Sequence, residues 1–119
     1  MKSTLVIGAS EDPSRYAWKA VVSLQQHGYP VIAYGKNEGQ INSTSIETNW
    51  NPDWEVDTVT LYINPLVQEA YEEKIIALKP RRVIFNPGTE NEEFIRDLAQ
   101  HGIAGEMSCT LVLLSIGNY

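Results

Sequence analysis

The chain has 119 residues, 43% of them hydrophobic, and a formal net charge of −6, which fits one globular domain over residues 1–119 and excludes a disordered chain. The acidic balance argues against DNA or RNA as a partner, because phosphate backbones are bound by clustered Lys and Arg. The single cysteine, Cys109, cannot form an intrachain disulfide, and neither a signal peptide nor a membrane-length apolar run is visible. We therefore expect a cytoplasmic protein without a membrane partner.

Strand-like and helix-like segments alternate along the chain. Short apolar or β-branched runs predict strands, and apolar residues at helical spacing predict helices. The predicted elements, in chain order, are a strand over 5–7, a helix over 15–27, strands over 31–34 and 58–63, a helix over 67–78, a strand over 82–85, a helix over 92–101 and a strand over 103–107. The Asn-, Ser- and Thr-rich segment 37–57 is predicted to be a partly ordered connection with room for one short helix.

Short links between strands and helices indicate parallel pairing with right-handed crossovers. The predicted fold is therefore an α/β, Rossmann-like, doubly wound and mainly parallel five-stranded sheet with helices on both faces. Such sheets bind ligands beyond the C-terminal ends of their strands. His27 and His101 each precede a glycine at a predicted helix end, so we assign both to helix termination and neither to catalysis.

The loop after the first strand carries the clearest ligand-binding pattern. Gly8, Ala9 and Ser10 follow an apolar run and precede a helix. Backbone N–H groups and the helix dipole at such a place can hold a phosphate. The loop lacks the G-x-G-x-x-G fingerprint of dinucleotide-binding domains, which would need a glycine at position 10.

Charged and hydroxyl side chains follow in the same loop. Arg15 could reach a pyrophosphate with two hydrogen bonds, and Glu11 and Asp12 are expected to face solvent, since they would repel a phosphate. Ser10 and Ser14 are candidate caps for the first helix, which is compatible with anion binding.

The second predicted strand ends in Tyr34, Gly35 and Lys36. An NAD-binding domain usually carries Asp or Glu at this place to hold the ribose hydroxyl, whereas a lysine favours a ligand with an extra ribose phosphate. Coenzyme A and NADP both carry one. A solvated surface lysine is the alternative interpretation of Lys36.

Two later loops resemble each other. Asn64 and Pro65 follow the third strand, and an Asn-Pro-Gly-Thr turn that contains Gly88 and Thr89 follows the fourth. Each loop is explained by turn chemistry at the start of a helix. The alternative interpretation is that both loops form a wall of the binding cleft. Cys109 is expected to be a small buried hydrophobe, and the sequence contains no metal-binding motif.

Taken together, these residues resemble the small stand-alone CoA-binding proteins, which are similar to the N-terminal nucleotide-binding domain of the succinyl-CoA synthetase α subunit. The resemblance rests on Val6-Ile7-Gly8-Ala9-Ser10, on His27-Gly28-Tyr29-Pro30-Val31, on the run from Asn86 to Glu93, and on Gly102-Ile103 followed by Cys109. Many relatives have Val-Asn-Pro after the second strand, where this chain has Tyr34-Gly35-Lys36.

The resemblance implies CoA binding across the strand ends and brings no catalytic residue with it. The site residues that it implies are Gly8, Ala9 and Ser10 at the phosphates through backbone N–H groups, Arg15 as an auxiliary cation, Tyr34, Gly35 and Lys36 at the adenosine end, Ile63, Asn64 and Pro65 along the cleft, and Gly88 and Thr89 at its other side.

The favoured hypothesis is non-catalytic binding of coenzyme A or an acyl-CoA, in a sensing or carrier role. One alternative is a fragment of an NADP-linked oxidoreductase. Another is a scaffold or regulatory protein with a vestigial nucleotide site, which would gain support if Glu11 and Asp12 faced the cleft. The apolar segment 111–116 is expected to be buried on its own domain, and a homodimer is possible.

Overall fold

The computed structural model describes residues 3–119. Its strands are β1 (Ser3–Ile7), β2 (Val31–Tyr34), β3 (Gly39–Ile41), β4 (Thr44–Glu47), β5 (Val56–Leu61), β6 (Arg82–Phe85) and β7 (Ala104–Met107). Its helices are α1 (Tyr16–Gln26), α2 (Pro65–Gln68), α3 (Glu72–Leu78), α4 (Glu92–Gln100) and α5 (Thr110–Ser115). Across this part of the chain, every helix is too short or too polar to span a membrane.

The strands form one seven-stranded sheet in the order β3-β4-β2-β1-β5-β6-β7. All neighbouring strands are parallel except β3 and β4, which are antiparallel. Strand β1 lies between β2 and β5, where Leu5 pairs with Ile32 and with Val59. Central strands of a parallel sheet are covered on both faces, which explains the continuous apolar runs in β1 and β6.

Side chains of successive β1 residues enter two separate cores. Leu5 and Ile7 pack with Ile75 of α3 and Phe94 of α4, on one face of the sheet. Val6 packs on the other face with residues of α1 and with Leu114 of α5. This alternation follows from the two-residue period of a strand. The prediction of a doubly wound α/β sheet with helices on both faces is confirmed.

The predicted number of five strands is wrong, because segment 37–57 contains the hairpin β3–β4 and no helix. Each of these strands buries a single residue, Ile41 or Ile46, so their hydrophobic pattern is too short to recognise. The hairpin is anchored instead by a distant side chain. The Gln25 amide of α1 donates to the Ile41 carbonyl at 3.1 Å and to Thr44 Oγ1 at 2.8 Å.

Two helical segments also differ from the prediction. The single helix predicted over 67–78 is divided into α2 and α3. Helix α2 begins at Pro65, two residues earlier than predicted, because the Asn64 side chain caps it by accepting a hydrogen bond from the Val67 N–H. The segment 111–116, for which no helix was predicted, lies largely in α5. The expected burial of this segment holds only in part. Leu114 is buried, whereas Val112 and Ile116 are 52% and 60% exposed.

The helix-terminating role of both histidines is confirmed. His27 and His101 are the C-cap residues of α1 and α4, and the Nδ1 atom of each ring lies within 2.9 Å of a carbonyl oxygen one turn earlier. Gly28 and Gly102, which follow them, have positive φ angles of 79° and 73°. This is the left-handed conformation that ends many helices.

Candidate functional site

A cleft of about 640 Å³ lies at the C-terminal ends of the central strands. The chain passes from β1 to β2 on one side and returns to β5 on the other, so the loops after these three strands diverge around the cleft. Ligand sites of open α/β sheets lie at such a switch point. The lining residues are Ile7, Gly8, Ala9, Ser10, Glu11, Arg15, Tyr34, Gly35, Lys36, Asn37, Glu38, Tyr62, Ile63, Asn64, Val67 and Tyr71.

Most of the residues predicted for the site line this cleft. They are Gly8, Ala9, Ser10, Arg15, Tyr34, Gly35, Lys36, Ile63 and Asn64. Pro65, Gly88 and Thr89 do not line it. Pro65 is instead the first residue of α2, where the missing N–H of proline is harmless.

The loop after β6 is held by its own hydrogen bonds and does not contribute Gly88 or Thr89 to the lining of the cleft. Thr89 is buried, and both its N–H and its hydroxyl donate to the Asn86 carbonyl, at 2.9 and 2.8 Å. The Thr89 carbonyl accepts a hydrogen bond from the buried amide of Gln68 at 2.8 Å. For Gly88 and Thr89, therefore, the turn interpretation is supported, and neither residue belongs to the lining of this cleft.

The floor of the cleft is made of main chain. The N–H groups of Gly8 and Ala9 both donate to the Tyr34 carbonyl, at 2.9 and 3.0 Å. A Cβ atom at Gly8 would lie 2.7 Å from the Tyr62 carbonyl oxygen, and one at Gly35 would overlap the Ala9 carbonyl. Only glycine permits this close packing of three loops. The expected role of the Gly8 and Ala9 N–H groups as free phosphate donors is consequently wrong.

The next two N–H groups of the same loop remain available. Within residues 3–119, the N–H groups of Ser10 and Glu11 have no hydrogen-bond partner. They lie directly beside the floor, in a segment that lines the cleft. Of the three residues predicted to offer backbone N–H groups, Ser10 therefore keeps an unpaired one within the described chain, and Glu11, which was not predicted, has another.

Neither serine of this loop caps α1. Ser10 Oγ accepts from the Asp12 N–H at 3.1 Å, and Ser14 Oγ donates to Asp12 Oδ1 at 2.7 Å. The N-cap residue of α1 is Arg15, which has no side-chain capping bond. Hydrogen bonds from the Ser14 backbone and side chain lower the pKa of the exposed Asp12 carboxyl, and the charge of Arg15 lowers it further.

Four charged residues line the cleft and balance each other in sign: Glu11, Arg15, Lys36 and Glu38. The Glu11 carboxylate accepts a hydrogen bond from the Gln40 N–H at 2.8 Å, which ties the first loop to β3. Asp12 lies outside the lining, as expected. Glu11 is exposed to solvent, as expected, but it also lines the cleft, and its bond to Gln40, which is remote in sequence, explains why the loop alone did not reveal that position.

An aromatic cluster supports one side of the cleft. Tyr34 and Tyr71 line it, with their hydroxyl oxygens 3.3 Å apart. Trp50 and Trp54 stand behind them, and the Trp50 ring centroid lies 5.3 Å from that of Tyr34 and 5.8 Å from that of Tyr71. Burial, with the hydrogen bond from Tyr71, raises the pKa of Tyr34 to about 12. The site prediction missed Tyr71 because it belongs to the break between α2 and α3.

Tyr62 follows β5 and contributes a second protected phenol, because burial raises the pKa of Tyr62 to about 12. The ordinary tyrosine pKa is about 10. Unfolded tyrosines therefore ionise above about pH 10, while Tyr34 and Tyr62 keep their protons in the folded state until about pH 12. In this interval the folded state binds more protons than the unfolded state. The free energy of unfolding is therefore retained below about pH 10 and falls as the pH rises toward 12.

We expect the free energy of unfolding, measured in urea at pH values between 9 and 12, to fall across this interval. Tyr62→Phe removes one of the ionising groups, so its free energy of unfolding should fall less steeply than that of the natural chain. Parallel curves for the two proteins would contradict the assignment of a raised pKa to Tyr62.

Cys109 is the N-cap residue of α5, is partly buried, and does not line the cleft. It is less buried than the sequence led us to expect. Among residues 3–119, no cluster of three His, Cys, Asp or Glu side chains is arranged to hold a metal ion.

The parallel sheet with a cleft at its switch point defines a Rossmann-like α/β domain. Residues 2–115 match the family described as a CoA binding domain, and the chain belongs to this family. The resemblance on which the sequence prediction rested is therefore confirmed. No curated protein matches the chain.

Solved structures share the fold over nearly the whole chain. An uncharacterized protein with a known crystal structure is 45% identical, with a TM-score of 0.96 over 100% of this chain and 98% of that chain. The cell-free ID.343 protein from Thermus thermophilus is 22% identical, with a TM-score of 0.87 over 99% of this chain and 90% of its own.

A larger enzyme contains a similar unit. The dinucleotide-forming acetyl-coenzyme A synthetase 1 of Ca. Korarchaeum cryptofilum, whose structure is a complex with phosphate and ADP, is 16% identical. The TM-score is 0.71 over 91% of this chain and 26% of the enzyme. At this identity the similarity concerns the fold alone.

Proposed function

We propose that the protein binds coenzyme A or an acyl-CoA in the cleft, without catalysing a reaction, in a sensing or carrier role. The observation that carries the proposal is membership of the CoA-binding domain family over residues 2–115. The cleft at the strand ends has a volume of about 640 Å³, within the range of roughly 300–1,000 Å³ that small-molecule and cofactor sites occupy.

Phosphate binding is supported by groups of the first loop and its neighbour. The N–H groups of Ser10 and Glu11 and the guanidinium of Arg15 lie on one side of the cleft, where a pyrophosphate would meet them. Lys36 lies at the end of β2 and is exposed, so it is free to pair with a ribose phosphate. We assign the adenosine end of the ligand to Lys36.

The opposite side of the cleft suits a less polar group. Ile63 and Val67 line it, and Val67 is 44% exposed although it is aliphatic. A pantetheine arm or a short acyl group would cover this surface and remove apolar area from water. Asn64 contributes a polar group on the same side, but its side chain caps α2 at the Val67 N–H.

Binding without catalysis is supported by the titratable groups of the cleft. The phenols of Tyr34 and Tyr62 have pKa values raised to about 12, which makes both poor bases near neutral pH. Glu11, the cleft carboxylate with a fixed position, is held by Gln40 through a structural hydrogen bond. These properties support ligand binding over acid–base catalysis.

One observation favours the alternative of a vestigial site: two carboxylates, those of Glu11 and Glu38, belong to residues that line the cleft and balance its two cations in charge. Thermal unfolding with CoA, acetyl-CoA, NADP, NAD and ATP in parallel separates the hypotheses. A ligand at about 100 times its dissociation constant adds about 2.7 kcal/mol, or roughly 10 °C for a domain of this size. A shift with CoA or acetyl-CoA supports the proposal, a shift with NADP alone supports an oxidoreductase fragment, and no shift supports a scaffold.

Lys36→Ala is expected to weaken CoA binding about tenfold, because an exposed charge-assisted pair with a phosphate contributes roughly 1–1.5 kcal/mol. Isothermal titration calorimetry measures the change directly. Lys19→Ala, at an exposed lysine of α1 outside the cleft, is the matched control and should leave the affinity unchanged. Equal affinities of the two variants for CoA would show that Lys36 is a solvated surface residue.

A further inference from the structure

We propose that Glu11 is a specificity-determining residue, whose charge lowers the affinity of the cleft for a nucleotide with a phosphorylated ribose relative to the same nucleotide with a free ribose hydroxyl. The proposal rests on the proposed function, since it concerns a CoA-type ligand in this cleft. It adds a repulsive group to a site whose attractive groups alone would be expected to select phosphate.

The carboxylate of Glu11 is fixed although the residue is exposed. Its Oε2 atom accepts the Gln40 N–H at 2.8 Å. Its side chain also packs directly over Gly39, where an added Cβ would overlap the Glu11 carboxyl group. A glutamate held in this way cannot turn out to solvent when an anion approaches, unless it gives up the bond to β3. Its negative charge therefore remains at the edge of the cleft.

The fixed carboxylate lies at the same end of the cleft as Lys36. Its partner Gln40 is four residues beyond Lys36, and four residues of extended chain span at most about 14 Å. Lys36 and Glu11 both line the cleft. Both residues are exposed, so a ribose phosphate that pairs with Lys36 senses the charge of Glu11 most strongly at low ionic strength, where the Debye length of about 30 Å exceeds this separation.

The chemistry of the two groups is opposed. A carboxylate accepts hydrogen bonds from ribose hydroxyls and repels phosphate, whereas a cation attracts phosphate. The lining of this cleft carries two carboxylates, Glu11 and Glu38, besides Lys36, and Glu11 is held in place by a hydrogen bond. The preference between a phosphorylated and a free ribose is set by the attraction of the phosphate to the cation minus its repulsion by the carboxylate. Specificity is often achieved by including such a repulsive element.

The test compares CoA with 3′-dephospho-CoA, which differ only by the ribose phosphate. Affinities of the natural chain and of Glu11→Gln are measured for both ligands by calorimetry. Glutamine keeps an oxygen that can accept the Gln40 N–H, so the variant removes the charge and preserves the bond. At low ionic strength, we expect the preference for CoA over 3′-dephospho-CoA to rise about twofold to threefold in Glu11→Gln.

Glu55→Gln is the control, because this substitution changes the net charge by the same amount. Glu55 is exposed, directly precedes β5 and does not line the cleft. The preference of Glu55→Gln should equal that of the natural chain. If both ligands bind and Glu11→Gln leaves the preference unchanged, the role of Glu11 is refuted while the proposed function stands. If neither ligand binds to the natural chain, the proposed function fails, and the role of Glu11 fails with it.

Discussion

Replacing Gly8 by alanine is expected to lower the free energy of unfolding by about 3 kcal/mol and to abolish ligand binding in the cleft. Gly8 has a φ of +97°, which costs a residue with a Cβ roughly 1–2 kcal/mol. The new Cβ would also lie 2.7 Å from the Tyr62 carbonyl oxygen, so the loops after β1 and β5 must move apart. Overpacking of this kind adds about 1–3 kcal/mol.

Gly28→Ala provides the matched control. Gly28 has a similar positive φ of +79°, but a Cβ there would meet nothing within 4 Å. This variant carries the conformational cost alone, about 1 kcal/mol. Thermal and urea unfolding of both variants measures the difference, and a thermal shift for Gly8→Ala no larger than that for Gly28→Ala would disprove the close approach to Tyr62.

Removal of the Asn86 side chain is the second large effect. This buried amide donates to Thr60 Oγ1 at 2.6 Å and to the Leu61 carbonyl at 2.8 Å, and its oxygen accepts the Thr110 N–H at 2.9 Å. It thereby joins β5 and β6 to the start of α5. Asn86→Ala leaves several of these groups buried without a partner, and we expect a loss of about 3–4 kcal/mol.

Asn64→Ala is a suitable comparison for Asn86→Ala. Asn64 also follows a strand and precedes a proline, but it is exposed and accepts one hydrogen bond, from the Val67 N–H at 3.0 Å. Loss of such a cap costs about 1 kcal/mol. Urea denaturation should separate the two variants clearly. A loss near 1 kcal/mol for both would mean that water replaces the Asn86 amide.

The sequence predicted the elements whose signals are local. The strands over 31–34 and 82–85 have the bounds that the structure shows, because apolar runs in central parallel strands stand out from their surroundings. The hairpin β3–β4 could not be predicted in this way. Its strands bury one residue each, and the Gln25 side chain that anchors them belongs to another element.

The same distinction applies to the cleft. Residues directly after β1 and β2, such as Ser10 and Lys36, could be placed because topology alone brings the ends of parallel strands to one edge. Thr89 does not line the cleft, and its carbonyl is bound by the buried Gln68 amide, a partner that lies 21 positions away and that the turn sequence does not reveal. The position of Glu11 at the rim of the cleft is fixed by its hydrogen bond to Gln40, which no local pattern encodes.

The main-chain packing beneath the cleft also bears on the thermodynamics of binding. The loops after β1, β2 and β5 are held against one another by Gly8, Gly35 and the Tyr34 carbonyl, before any ligand arrives. A preorganised surface loses little conformational entropy on association, so the interactions with a ligand are not offset by the cost of ordering loops. Substitutions at the rim, at Glu11 or Lys36, can then change which ligand is preferred while this rigid platform stays the same.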